Sequence, residues 1–307
     1  LKKRAKVKIG KLNQVENTLL DSYENADRGQ MTLFEMPAVP EDIQAILDDP
    51  RIIAHMGIID NGTGTNSIHD PFNGYDGLIS IEIRGSSSQM FPKKQYALET
   101  QDADGENLNV PILGMPEEND WVLYAPWSDK TFIRNVLTYQ LSNEMGRYAS
   151  RTRHCELYLN GEYKGIYVLM EKIKRDPNRV DVQEVRASDL TEPGITGGYI
   201  FKNDRGEEPN IWKSDRGLPS IEWYVHVEPK DEELSPAQKN YLRGYVDQFE
   251  AALYGPDFKD PDVGYEAFID VDSFIDQHWL RALTNDPDGL RLSQYWIKDR
   301  GGKLEAG

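Results

Sequence analysis

The segment at residues 84–94 carries residue types that could hold phosphate groups. Small residues at positions 85–88 leave backbone N–H groups accessible, and such groups cradle phosphate oxygens. Lys93 and Lys94 follow, and their ammonium groups would neutralise phosphate charge. A solvated hairpin tip with two surface lysines would give the same pattern, so this segment alone leaves both interpretations open.

A second candidate is the apolar run at residues 165–170, which passes directly into Glu171 and Lys172. A strand that leaves a sheet at this point would present backbone N–H and C=O groups that could pair with the edge of a purine base. An ordinary core strand that ends in a charged loop would have the same sequence, and the residues alone leave this choice open.

The loop at Asp288 could supply the acid–base chemistry of phosphoryl transfer. A kinase catalytic loop provides an Asp that accepts a hydroxyl proton and, five positions later, an oxygen ligand for Mg²⁺. Asp288 and Ser293 have this spacing. Asp-Pro-Asp-Gly is also a common sequence for a turn. The segment begins like a calcium-binding loop but lacks the full pattern of one.

The sequence gives little support to other kinds of catalytic or binding site. The five histidines have no metal-ligand spacing, and a single cysteine, Cys155, excludes a zinc ribbon and an internal disulfide. No Gly-x-Ser-x-Gly elbow indicates a serine hydrolase, and nothing selects a carboxylate pair for a glycosidase. Carbohydrate binding through Trp127, Trp212 or Trp223 stays an alternative, although such aromatics more often lie in cores.

Alternating apolar residues predict two hairpins that would position the first two candidates. Residues 78–84 and 94–100 predict one hairpin around the Gly/Ser tip. Residues 156–159 and 163–170 predict another, because Asn-Gly between them supplies the positive φ values of a type I′ turn.

Capping residues predict three helices farther along the chain. Ser128 would cap one that runs to Leu141, Ser235 would open another through a capping box, and Asp272 would cap a third. Short strands are predicted at residues 198–202, 221–227 and 292–298, and a short helix from Pro40 to Leu47. Strands first and helices later indicate an α+β protein with two lobes and a cleft between them.

Composition and charge exclude several classes of protein. With 307 residues, 38% hydrophobic and 28% charged, the chain is a folded protein of one large or two modest domains. Its net charge of −17 disfavours nucleic acid and anionic membranes, and favours basic partners. No apolar run approaches the roughly 20 residues that span a bilayer. Because Leu1 is not an initiator, we expect a processed or cut N-terminus that carries no targeting segment.

Four motifs together resemble the CotH kinase family, that of spore coat protein H. They lie in order at residues 83–96, 121–126, 129–135 and 157–173, and the resemblance extends from about Ile52 to the end of the chain. Each is long, so the combination is far more specific than any single Gly-rich loop.

The resemblance implies a divergent, protein-kinase-like α+β fold. It implies a lead segment at residues 1–50, a β-rich N-terminal lobe at about 51–175 and a helical C-terminal lobe at about 176–307. It also implies that ATP and Mg²⁺ bind between the lobes, and that phosphate passes to Ser or Thr of a secreted, coat or surface protein. The substrate would be Ser/Thr-rich and basic, and the protein would be extracellular or in the cell envelope or spore coat. A catalytically weak pseudokinase with a structural role in a coat or surface assembly is the alternative.

The resemblance also implies roles for individual residues. The catalytic residues would be Asp288 with Lys93 or Lys94, the nucleotide-binding residues would be Arg84, Gly85, Ser86, Ser87, Ser88, Glu171 and Lys172, and Arg134 would support the site. On a strand the two lysines would face opposite sides, so only one would reach the nucleotide. Ser293, where many relatives carry Asn, would contribute to the metal site. The main Mg²⁺ carboxylate is expected beyond Gly307, in a Trp-Asp-Phe-Asp motif that family members carry after Gly-Lys-Leu.

Overall fold

The computed structural model describes residues 32–36, 46–62, 65–204, 211–214, 216, 223–286, 288–289 and 292–307. Two compact units make up this part of the chain. The first comprises the described residues up to Leu141 together with Ser150–Lys172, and the second comprises Ser142–Ala149 together with Ile173–Gly307. The short helix predicted from Pro40 falls largely outside the described residues. No described helix has the length and apolar character that crossing a bilayer requires.

The first unit is built on a closed, curled sheet. Its strands are β1 (Thr32–Met36), β2 (Ile52–Ile59), β3 (Tyr75–Arg84), β4 (Gln95–Gln101), β5 (Val110–Ile112), β6 (Met115–Glu118), β7 (Asp120–Tyr124), β8 (Thr152–Leu159) and β9 (Glu162–Glu171). Seven of them follow one another in the order β1-β2-β3-β4-β7-β9-β8, and β1 pairs with β8 in parallel to close the sheet. β5 and β6 form a separate pair, and helix α1 (Arg134–Glu144) follows β7.

Period-two alternation explains how this sheet buries its core. Ile79 and Ile81 on β3 are fully buried and join Leu98, Trp121 and Leu169 from neighbouring strands in one apolar cluster. Alternate side chains of a strand point to opposite faces, so the apolar residues collect on the inner face of the curled sheet. This packing fixes the register of the strands that carry the candidate site.

Both hairpins predicted from the sequence are confirmed. β3 and β4 pair in antiparallel register from Leu78 opposite Gln101 to Arg84 opposite Gln95. β8 and β9 are joined by Asn160 and Gly161, which have φ values of 51° and 75°. Positive φ at both central residues is the requirement of a type I′ turn, and it explains why local sequence sufficed here.

The second unit contains more β-structure than the sequence predicted. Its elements are β10 (Tyr199–Asp204), β11 (Ile211–Trp212), β12 (Trp223–Glu228), α2 (Pro236–Leu253), α3 (Val271–Thr284), β13 (Gln294–Lys298) and β14 (Leu304–Ala306). The five strands form one sheet in the order β11-β12-β10-β13-β14, where a mainly helical lobe was expected. Phe201 of β10 and Leu304 of β14 share a core with Leu242 and Val246 of α2.

Two of the three predicted helix caps are wrong. Ser235 does cap α2, with a capping box that includes Gln238. Asp270, not Asp272, caps α3, because its carboxylate accepts the amide of Ser273. The helix predicted from Ser128 begins only at Arg134, because Asp129 accepts the amides of Thr131 and Arg134 and holds the preceding residues in a turn.

Replacing the observed cap of α3 tests this assignment. We expect Asp270→Ala to lower the free energy of unfolding by about 1 kcal/mol, because the amide of Ser273 loses its side-chain acceptor and Arg147 loses an ion-pair partner. Asp272→Ala is the matched control and should change it by at most about 0.5 kcal/mol. Asp270→Asn, which keeps an acceptor oxygen, should restore most of the loss, as measured by urea denaturation.

Candidate active site

The tip of the β3–β4 hairpin leaves two backbone amides accessible. Ser87–Met90 form a single 3₁₀ turn directly after Ser86. Within the described part of the chain, the amides of Ser87 and Ser88 donate to no carbonyl. Gly85 has a φ of +97°, and a Cβ there would lie 2.1 Å from the hydroxyl oxygen of Ser88. The tight turn therefore requires glycine, and it exposes N–H groups of the kind that bind phosphate oxygens.

The structure distinguishes the two lysines of the hairpin. Neither lies on a strand, since β4 begins at Gln95, so the predicted alternation of strand faces does not apply to them. The ammonium group of Lys93 nevertheless donates to the carbonyl of Ile166 on β9 and lies 4.5 Å from the ring centroid of Tyr167. That of Lys94 folds back to the carbonyl of Gln89 in the tip. Lys93 therefore faces β9, and Lys94 stabilises its own loop.

Burial and charge both act on Lys93. Its ammonium group also lies 5.5 Å from the ring centroid of Phe132. Desolvation lowers the pKa of Lys93, and the positive charge of nearby Lys130 lowers it further, although neighbouring Cys155 has the opposite effect. Burial raises the pKa of the Cys155 thiol to about 12, so at neutral pH this group supplies no negative charge.

Four cations around the hairpin tip lack a carboxylate partner. Arg84, Lys93, Lys94 and Lys130 form no ion pair with any residue that the structure describes. By contrast, Arg51, Arg151 and many other cations of the chain are paired. In a chain with a net charge of −17, a group of unpaired cations marks a surface suited to an anionic ligand.

The side chains of Glu171 and Lys172 are engaged within the protein. Glu171 is 0% exposed, and its carboxylate accepts two hydrogen bonds from the guanidinium of Arg151, at 2.9 and 3.0 Å. Lys172 forms an ion pair of 2.8 Å with Asp120. A purine at this end of β9 would therefore meet the backbone at these positions rather than these side chains.

Lys93 of the predicted phosphate-binding segment contacts β9, the strand that ends at Glu171. The carbonyl that accepts Lys93 belongs to Ile166, and Glu171 is five residues farther along β9. At about 3.3 Å per residue, the distance is about 16 Å. This length is comparable with that of an extended nucleoside triphosphate.

The structure places Arg134 on the surface and Lys130 near Lys93. The Arg134 side chain is 77% exposed and lies 3.6 Å from the carboxylate of Asp129, in its own turn. Lys130 is close enough to Lys93 to affect its pKa, although the sequence predicted no role for it. The only sequence signal was a lysine next to a turn-forming aspartate, which is common on protein surfaces.

In the second unit, Asp288 and Ser293 share the loop between α3 and β13. The carboxylate of Asp286 accepts the amide of Asp288 at 3.1 Å, and the carbonyl of Asp288 accepts the amide of Leu292 at 2.8 Å. Both Asp288 and Ser293 are exposed, and Ser293 has a φ of 52°. These backbone bonds fix the ends of the loop and leave both side chains on the surface.

The described residues differ in how well they suit a metal ion and the phosphates of ATP. No group of three or more His, Cys, Asp or Glu side chains among them could hold a metal ion. Mg²⁺ in nucleotide sites is usually bound by one or two carboxylates together with phosphate oxygens and water. Ser293 could supply one such oxygen, and the unpaired cations with the free amides of the hairpin tip fit the phosphates.

The tryptophans suggested for carbohydrate binding have structural neighbours. Trp212 stacks on Tyr224 with ring centroids 4.5 Å apart, and Lys213 covers the ring of Trp223. Trp127 is 38% exposed and packs on Phe91 of the hairpin tip.

Comparison with known proteins agrees with the order of the motifs. Residues 81–307 match the family model described as CotH kinase protein. No curated protein matches the sequence.

Proposed function

Because this chain belongs to the CotH kinase family, we propose that it is an atypical protein kinase that transfers the γ-phosphate of ATP to Ser or Thr of a secreted, coat or surface protein. Membership of the family suggests an atypical kinase or a function related to the spore coat. The use of ATP and Mg²⁺ and the phosphorylation of a protein substrate are further parts of this proposal.

The observation that carries the proposal is the group of unpaired cations at the hairpin tip. Lys93 is partly desolvated and bonded only to a carbonyl, and its neighbour Lys130 repels it. Such an arrangement is unfavourable until an anion arrives. A triphosphate would gain charge-assisted hydrogen bonds from these lysines and from the amides of Ser87 and Ser88.

The chemistry assigns one role to each unit. In the first unit Lys93, Arg84 and the hairpin amides bind and orient the phosphates, while the backbone at Glu171 and Lys172 meets the purine. In the second unit Asp288 accepts the proton of the substrate hydroxyl as its oxygen attacks the γ-phosphorus. The bond from that phosphorus to the bridging oxygen breaks, and ADP leaves. Bound Mg²⁺ would neutralise phosphate charge, with the hydroxyl of Ser293 as an oxygen donor from this chain.

A comparison of the two hairpin lysines tests the nucleotide site. We expect Lys93→Met to weaken Mg-ATP binding roughly 10- to 100-fold in isothermal titration, because a charge-assisted hydrogen bond contributes about 1.5–3 kcal/mol. Lys94→Met should change the dissociation constant only a few-fold, since its ammonium group is held by Gln89. Equal binding by Lys93→Met and the native chain would contradict the assignment.

Transfer of labelled γ-phosphate to a Ser-rich, basic protein tests the reaction itself. Incorporation of label supports the kinase. Tight Mg-ATP binding without incorporation would instead favour the alternative, a pseudokinase that serves as a structural protein of a coat or surface assembly. Absence of nucleotide binding by the native chain would refute the kinase.

A further inference from the structure

The turn between β7 and α1 is held rigidly by a buried aspartate. Asp129 is 5% exposed, and its carboxylate accepts the amide of Thr131 at 3.0 Å, the hydroxyl of Thr131 at 2.5 Å and the amide of Arg134 at 2.9 Å. Burial alone would raise the pKa of Asp129, but these hydrogen bonds outweigh it and hold the pKa below its usual value. The ionised carboxylate therefore fixes the backbone on both sides of Lys130.

The turn presents Lys130 to the surroundings of Lys93. Trp127 at its start stacks on Phe91, two residues before Lys93, with ring centroids 6.4 Å apart. Phe132, farther along the turn, lies against the ammonium group of Lys93. Lys130 itself lies 4.5 Å from the centroid of the Trp127 ring and donates to the Trp127 carbonyl at 2.6 Å. Aromatic rings of this turn thus contact both ammonium groups.

The carboxylate nearest in sequence to these lysines, that of Asp129, is engaged by Thr131 and by the amide of Arg134. Neither Lys93 nor Lys130 forms an ion pair in the described ranges. Burial is the main cause of the lowered pKa of Lys93, and the positive charge of Lys130 acts in the same direction. Two like charges held close together by a rigid turn are stabilised by a ligand that carries several negative charges. A purine or a ribose would gain nothing from them.

From this geometry we propose that Lys130 is a second phosphate-contacting residue and that Asp129 is the positioning residue that holds it beside Lys93. The ligand class is a polyphosphate, and the inference rests on the proposed function because the polyphosphate is that of the nucleotide.

Paired titrations with Mg-ATP and with adenosine test the role of Lys130. We expect Lys130→Met to weaken Mg-ATP binding about tenfold and to leave adenosine binding unchanged. Lys164→Met is the matched control, since Lys164 is paired with Glu162, and it should bind both ligands like the native chain. Lys130→Arg should retain most of the affinity. Lys130 is exposed, so these substitutions should leave the melting temperature unchanged.

A measurement without nucleotide tests the proximity independently. The neighbours of the Lys93 ammonium group are Lys130, Cys155, the carbonyl of Ile166 and the rings of Phe132 and Tyr167, and only Lys130 is removed in Lys130→Met. An NMR titration of labelled lysine side chains should therefore show a higher pKa for Lys93 in Lys130→Met, with Lys93→Met used to assign the resonance. Lys164→Met should leave the pKa of Lys93 unchanged.

The outcomes separate this inference from the proposed function. If the native chain and Lys130→Met bind Mg-ATP equally, or if the pKa of Lys93 does not change, the role of Lys130 is refuted while the kinase proposal stands. If the native chain binds no Mg-ATP, the proposed function fails and this inference fails with it. Loss of adenosine binding in Lys130→Met would also refute it, because the lysine would then act on the purine.

Discussion

Asp288→Asn is expected to lower the rate of phosphate transfer about 1,000-fold while the dissociation constant of Mg-ATP changes by no more than a few-fold. Asn has the shape of Asp but cannot accept the hydroxyl proton, and general bases typically contribute 10²- to 10⁴-fold. The bond between the amide of Asp288 and the carboxylate of Asp286 involves only the backbone of residue 288, so it is kept in Asp288→Asn. Single-turnover transfer and isothermal titration measure the two quantities.

Asp286→Asn provides the matched control for this experiment. It removes a carboxylate two residues away but keeps an oxygen that can accept the amide of Asp288. Transfer should then stay within a few-fold of the native rate. If both substitutions reduce transfer equally, the loop needs negative charge in general, and Asp288 is not the specific proton acceptor. An active Asp288→Asn chain would remove that residue from the mechanism.

Local turn chemistry made the hairpins that carry the first candidate site predictable. Asn160-Gly161 permits few other conformations, and the φ of +97° at position 85 favours glycine there. The choice between Lys93 and Lys94 was not predictable. It depends on β9, some 70 residues away in the chain. The carbonyl of Ile166 and the ring of Tyr167 on this strand lie next to Lys93 and not next to Lys94.

The helix caps illustrate a second limit of sequence reasoning. Ser128 and Asp129 are adjacent, and so are several acidic residues at the start of α3, so propensity alone cannot select among them. Burial makes the selection at Asp129, since a buried carboxylate must be satisfied by nearby N–H groups. The hydrogen bonds that satisfy the buried carboxylate of Asp129 also fix the position of Lys130. Because burial decides this position, local sequence gave no sign of the role proposed for Lys130.

The sheet of the second unit was underestimated for a topological reason. β10 lies between β12 and β13, and β13 is more than 90 residues farther along the chain. β14 has only three residues, too few for a period to be recognised. The start of a helix is marked by capping residues that are close in sequence. The pairing of these strands depends on partners that are distant in sequence.

Arg151→Met is expected to lower the free energy of unfolding by about 3–5 kcal/mol. Resemblance suggested Glu171 as part of the nucleotide site, but its carboxylate is fully buried and held by the guanidinium of Arg151. Removing one partner of a buried ion pair leaves the other charge uncompensated in a medium of low dielectric constant. Urea denaturation measures the loss, provided that the slope against urea concentration is unchanged.

The two partners should not be equivalent, and this asymmetry sharpens the test. Arg151 is 35% exposed, so after Glu171→Gln its guanidinium can turn to water, whereas Glu171 has no such access after Arg151→Met. We therefore expect Glu171→Gln to cost less than Arg151→Met. Lys164→Met breaks an exposed pair on the same strand and should cost no more than about 1 kcal/mol. Equal, small losses in all three variants would mean that the buried pair does not hold this end of β9, and the backbone that is proposed to meet the purine would need another anchor.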